Sequence, residues 1–236
     1  MSARDIQALT FDVFGTVVDW RGSIIRAGEA LGRELGRETD WPGLADAWRA
    51  LYQPAMAKVR ERSRPWTRLD DLHRENLIAI LPRFGLSDLD QAAIERLNRA
   101  WHALDPWPDA VAGLTRLKRR FILSTLSNGD VAIQVRIARH GGLPWDFAFG
   151  AELAQSFKPD PKVYRKAAQL LGLRPEQCLM VAAHPADLDA ARTQGFGTAY
   201  VHRPLEYGAA RARPMPQTDF DYAVESFTEL ADRLGC

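Results

Sequence analysis

Asp12 closes the short apolar run Leu9-Thr10-Phe11, and Gly15 follows three residues later. A buried strand that ends in a carboxylate and a tight glycine turn holds that charge where open α/β sheets place their ligands. Asp12 is therefore a candidate nucleophile. Ser127 and Asn128 stand at a second strand-to-helix junction, and their hydroxyl, amide and helix-start N–H groups suit an anion. Lys158 lies in the proline-containing turn Ser156-Phe157-Lys158-Pro159-Asp160-Pro161. There its ammonium can neutralise Asp12 and orient a carboxylate or a water. Asp187 opens a helix after the apolar run from Cys178 to Ala183, with His184 beside it. Arg49 follows Trp48 on a helical pattern; a guanidinium stays charged, offers a fork of donors and is weakly hydrated, which fits an anion in a half-dry site. Trp20 is a candidate pocket wall. Each of these residues also admits a structural role. Asp12 can cap a turn over a core Phe14, Ser127, Asn128 and Asp187 can cap helices, and Lys158 and Arg49 can be solvated surface charges.

Taken together the segments have a relative. Asp12-Val13-Phe14-Gly15-Thr16 resembles the first motif of the haloacid dehalogenase superfamily, in the branch of the type II (S)-2-haloacid dehalogenases. Leu126-Ser127-Asn128-Gly129 resembles the second motif, Lys158-Pro159 followed by Tyr164 the third, and the stretch from Val181 to Leu188 with Asp187 the fourth. The resemblance runs over nearly the whole chain. The phosphatase branch carries a second aspartate where this chain has Phe14. That difference has a chemical meaning: an alkoxide leaving group needs a proton, whereas a halide needs none. Phe14 donates no proton, but it can wall off a dry pocket for a displacement at carbon.

The resemblance implies a metal-independent, cofactor-free hydrolase of small (S)-2-haloacids. It also implies an aspartyl ester on Asp12, inversion at carbon, and release of an (R)-2-hydroxy acid and halide. Catalytic roles are implied for Asp12, Lys158, Asp187 and Arg49. Substrate or halide contacts are implied for Val13, Phe14, Thr16, Trp20, Ser127, Asn128, Tyr164 and His184. The fourth motif departs from both patterns it can be set against. Ala182 and His184 stand where one has Ser and Asn, and Pro185 replaces the Asn of an Ala-Ala-His-Asn-x-Asp variant. His184 has no second His or Cys at ligand spacing, so a metal role is not expected. Two alternatives remain at this stage. One is a magnesium-dependent phosphatase using Asp12 and Asp187, and the other a catalytically inactive binding protein on the same fold.

The elements that must position these residues follow from periodicity. Helical spacing of apolar residues appears over Ser23 to Leu35, from Pro42 through Ala55, over Leu69 to Leu81 and over Leu89 to Trp101. Asp105-Pro106-Trp107-Pro108 then punctuates the chain. Strand-like runs at Arg120 to Leu126, Phe147 to Phe149, Cys178 to Ala183 and Thr198 to Val201 alternate with helical ones at Val131 to His140, Pro161 to Leu171, Leu188 to Gln194 and Ser226 to Leu234. Such alternation predicts an α/β fold: a doubly wound parallel-sheet, Rossmann-like core with a helical cap subdomain inserted after the first strand. The expected division is a core of residues 1–19 and 106–236 and a cap of residues 20–105.

Composition narrows the partners. A formal net charge of +1 over 236 residues gives no electrostatic case for nucleic acid or an anionic membrane surface. No apolar run reaches the roughly 18–20 residues of a membrane span. The chain enters a strand without a signal-peptide pattern. Two cysteines make no disulfide framework, so a reducing, cytoplasmic setting is expected. The resemblance implies a small 2-halocarboxylic acid and water as partners, and a homodimer. The cluster Arg60-Glu61-Arg62-Ser63-Arg64 reads as a solvated helix end.

Overall fold

The computed structural model of the chain describes residues 6–236, so the first five residues of the expected core segment lie outside it. The fully buried strand β1 (Ala8–Phe11) opens the fold and β2 (Val18–Asp19) follows. Five helices come next: α1 (Trp20–Leu35), α2 (Trp41–Ala50), α3 (Tyr52–Arg60), α4 (Leu69–Ile80) and α5 (Gln91–Arg99). Strand β3 (Asp105–Pro106) then returns antiparallel to β2, pairing Val18 with Pro106 and Asp19 with Asp105. This short ribbon ties both ends of the helical stretch to one point. The remainder alternates through α6 (Ala110–Leu117), β4 (Ile122–Thr125), α7 (Val131–Gly141), α8 (Pro161–Leu170), β5 (Cys178–Ala182), α9 (Pro185–Arg192), β6 (Gly197–Val201), β7 (Tyr222–Val224) and α10 (Phe227–Leu234).

The main sheet has the order β4-β1-β5-β6-β7, and all its neighbours run parallel. Side chains alternate across a strand, so its two faces feed two cores. Leu9, Phe11, Leu123, Leu179 and Val181 pack with residues of α6, α7 and α10. Ala8, Met180, Ala182 and Tyr200 pack with residues of α8 and α9 on the other side. The first of these cores continues into the helical stretch through Trp48, Met56, Leu72 and Trp101. Chain order reverses at β1, which lies between β4 and β5. The crevice at that switch point, outside the carboxyl ends of the strands, is where such sheets bind ligands.

Several elements differ from the sequence expectation. The single helix expected from Pro42 through Ala55 breaks at Leu51 into α2 and α3. Pro54 has no N–H to return to the Ala50 carbonyl, so an unbroken helix would lose that bond and clash there. Phe147 to Phe149 forms no strand beyond one bridge between Ser124 and Phe147. The helix α6 and the three-residue edge strand β7 were not expected; one begins directly after the proline punctuation, and the other is too short to show a period. Helix α9 starts at Pro185, before the expected Leu188, because proline's fixed φ suits the first helical position.

The contact between α6 and α10 is close enough to exclude a methyl group. A Cβ on Gly113 would lie 2.4 Å from Cβ of Phe227 and 2.6 Å from the Phe227 carbonyl carbon. Backbone cannot swing aside as a flexible side chain can, so Gly113→Ala must push the two helices apart. The expected cost is about 1–3 kcal/mol of stability, as for other overpacked contacts. Urea unfolding measures it, and an unchanged midpoint would show that the pair separates freely.

Candidate active site

Asp12 is the first residue beyond β1, and its backbone N–H donates to the Val181 carbonyl on β5 at 3.0 Å. That bond carries the sheet register one residue further and fixes where the carboxylate leaves the sheet. Lys158 reaches it from the loop before α8: its Nζ donates to Asp12 Oδ1 at 2.9 Å and also to Asp187 Oδ2. The Lys158 backbone N–H donates to Asn128 Oδ1 at 2.7 Å, so the second and third motifs are joined. Tyr164, on the first turns of α8, donates its hydroxyl to Asp187 Oδ1 at 2.6 Å. Asp187 itself sits in the first turn of α9, where the helix dipole favours a negative charge.

The other carboxylate oxygen of Asp12 has different partners. Thr16 Oγ1 donates to Oδ2 at 2.7 Å, and the Ala183 N–H in turn donates to Thr16 Oγ1 at 2.9 Å. His184 Nδ1 lies 2.9 Å from the same Oδ2. On its far side, His184 Nε2 lies 3.0 Å from both carboxylate oxygens of Glu206. An imidazole that faces carboxylate oxygens from both nitrogens needs a proton on each, and so is an imidazolium. Trp20 Nε1 donates to Glu206 Oε1 at 3.1 Å. The turn after Asp12 makes room for this acid. Gly15 has φ +87°, and a Cβ there would lie 2.2 Å from Glu206 Oε1.

Charge follows from these contacts. Burial alone would raise the Asp12 carboxyl, but Lys158 and His184 overcome it and hold the group far below the usual carboxylate range. Burial raises Asp187, reinforced by the nearby Asp12 charge, although Lys158 opposes the shift. Two neighbouring carboxylates pushed apart in this way are suited to different tasks, one as a standing anion and one as a proton acceptor. Burial would deprotonate Lys158, yet the two acids raise it above its ordinary value. His184 resists its burial in the same way and is raised to about 10 by Glu206 and Asp12.

A cavity of about 690 Å³ opens onto these groups. Phe14, Trp20 and Tyr52 supply aromatic wall, and Arg49, Asn128 and Arg60 supply polar groups. Phe14 is backed edge-on by Trp101 at 5.6 Å, and Trp20 stacks on that same indole at 6.0 Å. Arg49, in the last turn of α2, places its guanidinium 4.0 Å from the Tyr52 ring centroid and 5.2 Å from that of Trp20. Its Nη1 is buried without a hydrogen-bond partner, and among the described residues no carboxylate pairs with Arg49. A buried cation packed on aromatic rings and without an ion pair leaves room for an anion. The donor set does not fit a hard divalent cation, since the Lys158 ammonium already occupies the point between Asp12 and Asp187 and the His184 imidazolium covers the other side of Asp12.

The family model described as haloacid dehalogenase-like hydrolase matches residues 6–195. The chain belongs to this family. Among haloacid dehalogenase-like hydrolases it is similar to (S)-2-haloacid dehalogenase 1 of Pseudomonas sp. (strain CBS-3), at 30% identity over 97% of this chain and 96% of that one. It also resembles two crystal structures. An L-2-haloacid dehalogenase superposes with TM-score 0.94 at 45% identity, covering 98% of this chain and 99% of the other. A defluorinating L-2-haloacid dehalogenase superposes with TM-score 0.95 at 40% identity, covering 98% and 96%.

Of the residues singled out in the sequence, Asp12, Phe14, Trp20, Arg49, Asn128, Lys158, Tyr164, His184 and Asp187 line the one cavity. Val13, Thr16 and Ser127 do not. Val13 is fully buried in the core, and Thr16 acts from behind Asp12. Ser127 Oγ accepts from the Gly129 N–H at 3.1 Å and from Gln134 Nε2 at 3.0 Å, so it braces its own turn instead of facing the cavity. Arg60 is a correction in the other direction. Read as part of a solvated helix end, it lines the cavity and donates to the Lys158 carbonyl at 3.2 Å. Glu206, Tyr52 and Tyr207 were missed. Glu206 lies in the irregular segment after β6, so the rule that ligands gather beyond the carboxyl ends of strands was the one signal pointing to it.

The protonation of His184 can be checked directly. A free histidine titrates near about 6.5, and here the value is raised to about 10. The raised value means a stabilising contribution fully present below pH 6.5 and lost as pH rises toward 10. Imidazole nitrogen NMR at pH 8 is expected to show both His184 nitrogens protonated. Titration near 6.5 would break the Asp12–His184–Glu206 arrangement.

Proposed function

We propose that the chain hydrolyses carbon–halogen bonds, converting small (S)-2-haloacids to (R)-2-hydroxy acids and halide through an ester on Asp12. The observation that carries this reading is the asymmetry of the Asp12 carboxylate. Oδ2 is taken up by two donors, Thr16 and His184, whereas among the described residues Oδ1 accepts from Lys158 alone. Oδ1 therefore keeps a lone pair for attack, in a cavity with aromatic walls where Phe14 replaces an acid. Oδ1 displaces the halogen from behind, the Oδ1–carbon bond forms as the carbon–halogen bond breaks, and the configuration inverts. The unpaired Arg49 suits the departing halide, and Asn128 and Arg60 suit the substrate carboxylate.

Water then attacks Cγ of Asp12. Asp187, raised by burial and held by Tyr164, accepts a proton from that water. The bond from Cγ to Oδ1 breaks, Lys158 gives the departing alkoxide a proton and regains one from Asp187, which it touches, and the inverted carbon centre is untouched. No metal or cofactor enters either step. Residues 20–105 act as a cap closing over a core of residues 1–19 and 106–236, with the β2–β3 ribbon as their joint. Both cysteines are free, which suits a reducing cytoplasm, and no helix among the described residues is long and apolar enough to cross a membrane. A homodimer is proposed on the family resemblance alone, and sedimentation tests it.

The deciding assay is halide release from (S)- and (R)-2-chloropropionate with excess chelator, beside the Asp12→Asn variant. Release is expected from the (S) substrate only and is abolished in the variant. No release from either, with magnesium-dependent cleavage of an aryl phosphate instead, would replace this reading with the phosphatase.

A further inference from the structure

We propose that Thr16 and His184 form the oxyanion site for hydrolysis of the Asp12 ester, and that Glu206 is the positioning residue that keeps His184 cationic for it. The inference rests on the dehalogenase reading and adds a division of labour between the two oxygens of one carboxylate. Once Oδ1 carries the substrate carbon, Oδ2 is the carbonyl oxygen of the ester. Attack of water on Cγ moves the carbonyl π electrons onto Oδ2. The donors already aimed at that atom are the Thr16 hydroxyl at 2.7 Å and His184 Nδ1 at 2.9 Å. They meet the new charge without rearrangement, which is the condition for strong electrostatic stabilisation. When the oxyanion collapses, the Cγ–Oδ1 bond breaks and the alkoxide leaves with one proton of the water. The other is released as the regenerated carboxyl ionises. His184 keeps its protons throughout and acts as a donor, not as a base.

Glu206 has no other evident task at the site. It is buried, it sits 3.0 Å from His184 Nε2 through either oxygen, and Trp20 Nε1 fixes its orientation at 3.1 Å. A buried acid is costly unless it is paired and hydrogen-bonded, and here the chain also gives up a side chain at residue 15 to admit it. The need for Glu206 is greatest after alkylation. In the resting enzyme Asp12 itself holds the imidazolium, but the ester is neutral and that support disappears at the moment the donor is needed. The groups facing His184 are then Glu206 and, around that acid, Tyr207 from the same segment and Arg49 from α2, with Lys158 beyond Asp12. Asp187, the other acid nearby, is paired with Lys158, so Glu206 alone sets a negative charge against the ring. Without it, burial and the nearby cations would favour a neutral ring.

Alkylation and hydrolysis respond oppositely to this cation, which makes the role separable from a structural one. Positive charge beside Oδ2 weakens Asp12 as a nucleophile and strengthens its ester as an electrophile. For Glu206→Gln at pH 8.5 the first-turnover burst of halide from (S)-2-chloropropionate is therefore expected to be no slower than in the native enzyme. Steady-state turnover should fall at least about 10-fold, within the range seen when an oxyanion donor is weakened or lost. The Asp12 ester should then accumulate toward one per chain, visible as an intact-mass adduct. Ester hydrolysis in the variant should slow as pH rises through the ordinary histidine range near about 6.5, while the native rate shows no such fall. His184→Phe, which removes the donor itself, should hold the ester more strongly at every pH and carries the test if Glu206→Gln folds poorly. A Glu206→Gln enzyme that loses burst and turnover by the same factor, or that clears the ester at the native rate, would overturn the assignment. Absence of any halide release by the native enzyme would overturn the dehalogenase reading itself, and the two failures are thereby distinct.

Discussion

Everything at this site depends on one buried ammonium held between two carboxylates. Lys158 is 6% exposed, and it touches both Asp12 and Asp187. Taking a cation from water into such a place costs several kcal/mol, and so does each acid. The cost is offset only when the partners sit at hydrogen-bond distance from the start, so the backbone must fix all three. It does so from three separate elements. Asp12 is pinned by the register of β1 on β5, Asp187 by the first turn of α9, and Lys158 by the bond from its own N–H to Asn128. A loop that let any one drift would leave an uncompensated charge in the interior. The parallel sheet therefore does more than carry the site, because its strand ends set the spacing that makes the charges tolerable.

The alternation of charge extends outward from that ammonium. Asp187, Lys158, Asp12, His184 and Glu206 form a row of negative, positive, negative, positive and negative groups, each in contact with the next. Among the described residues Arg49 lies beside this row without an ionic partner, and its charge balances the remaining acid. The cluster as a whole is thus close to neutral before a substrate arrives. Its one cation without a direct counter-ion faces the aromatic part of the cavity, which lets an anion be accepted there without first breaking an ion pair. Arg60, bonded to a backbone carbonyl, adds positive potential on the same side. In the proposed reaction a small acid bearing a halogen would meet both.

Much of this was legible in the sequence, for identifiable reasons. Asp12, Lys158 and Asp187 stand at junctions between apolar runs and helical patterns, and the parallel topology brings such junctions to one edge. Phe14 was informative because the alternative residue there would be a proton donor. Other parts were not legible. Ser127 looked like a ligand to an anion, but hydroxyl direction depends on Gln134, seven residues on, which no local pattern shows. Arg60 sat in a charged run whose composition resembles any exposed helix end, and only the packing of α3 on the Lys158 loop separates it from Arg62 and Arg64. The break at Leu51 follows from Pro54, whose effect on the preceding carbonyls was overridden by the apolar spacing. Glu206 lies 194 residues from Asp12 in the chain, in a stretch without periodicity. It becomes visible only through the glycine and the indole that make space for it.

The two oxygens of Asp12 pose a conflict that the surroundings must resolve. In the proposed reaction the same carboxylate acts first as a nucleophile and then, once alkylated, as an electrophile, and a cation that helps the second step hinders the first. Only interactions stronger in a transition state than before it accelerate that step. Placing Lys158 on Oδ1 and the pair of Thr16 and His184 on Oδ2 separates the two demands in space. In the proposed displacement the charge on Oδ1 would pass to the halogen, so that Lys158 would lose a partner and Arg49 gain one. In the proposed hydrolysis charge would build on Oδ2, where two donors already point. Neither step requires the backbone to move, and a rigid sheet edge is the part of this fold best able to provide that.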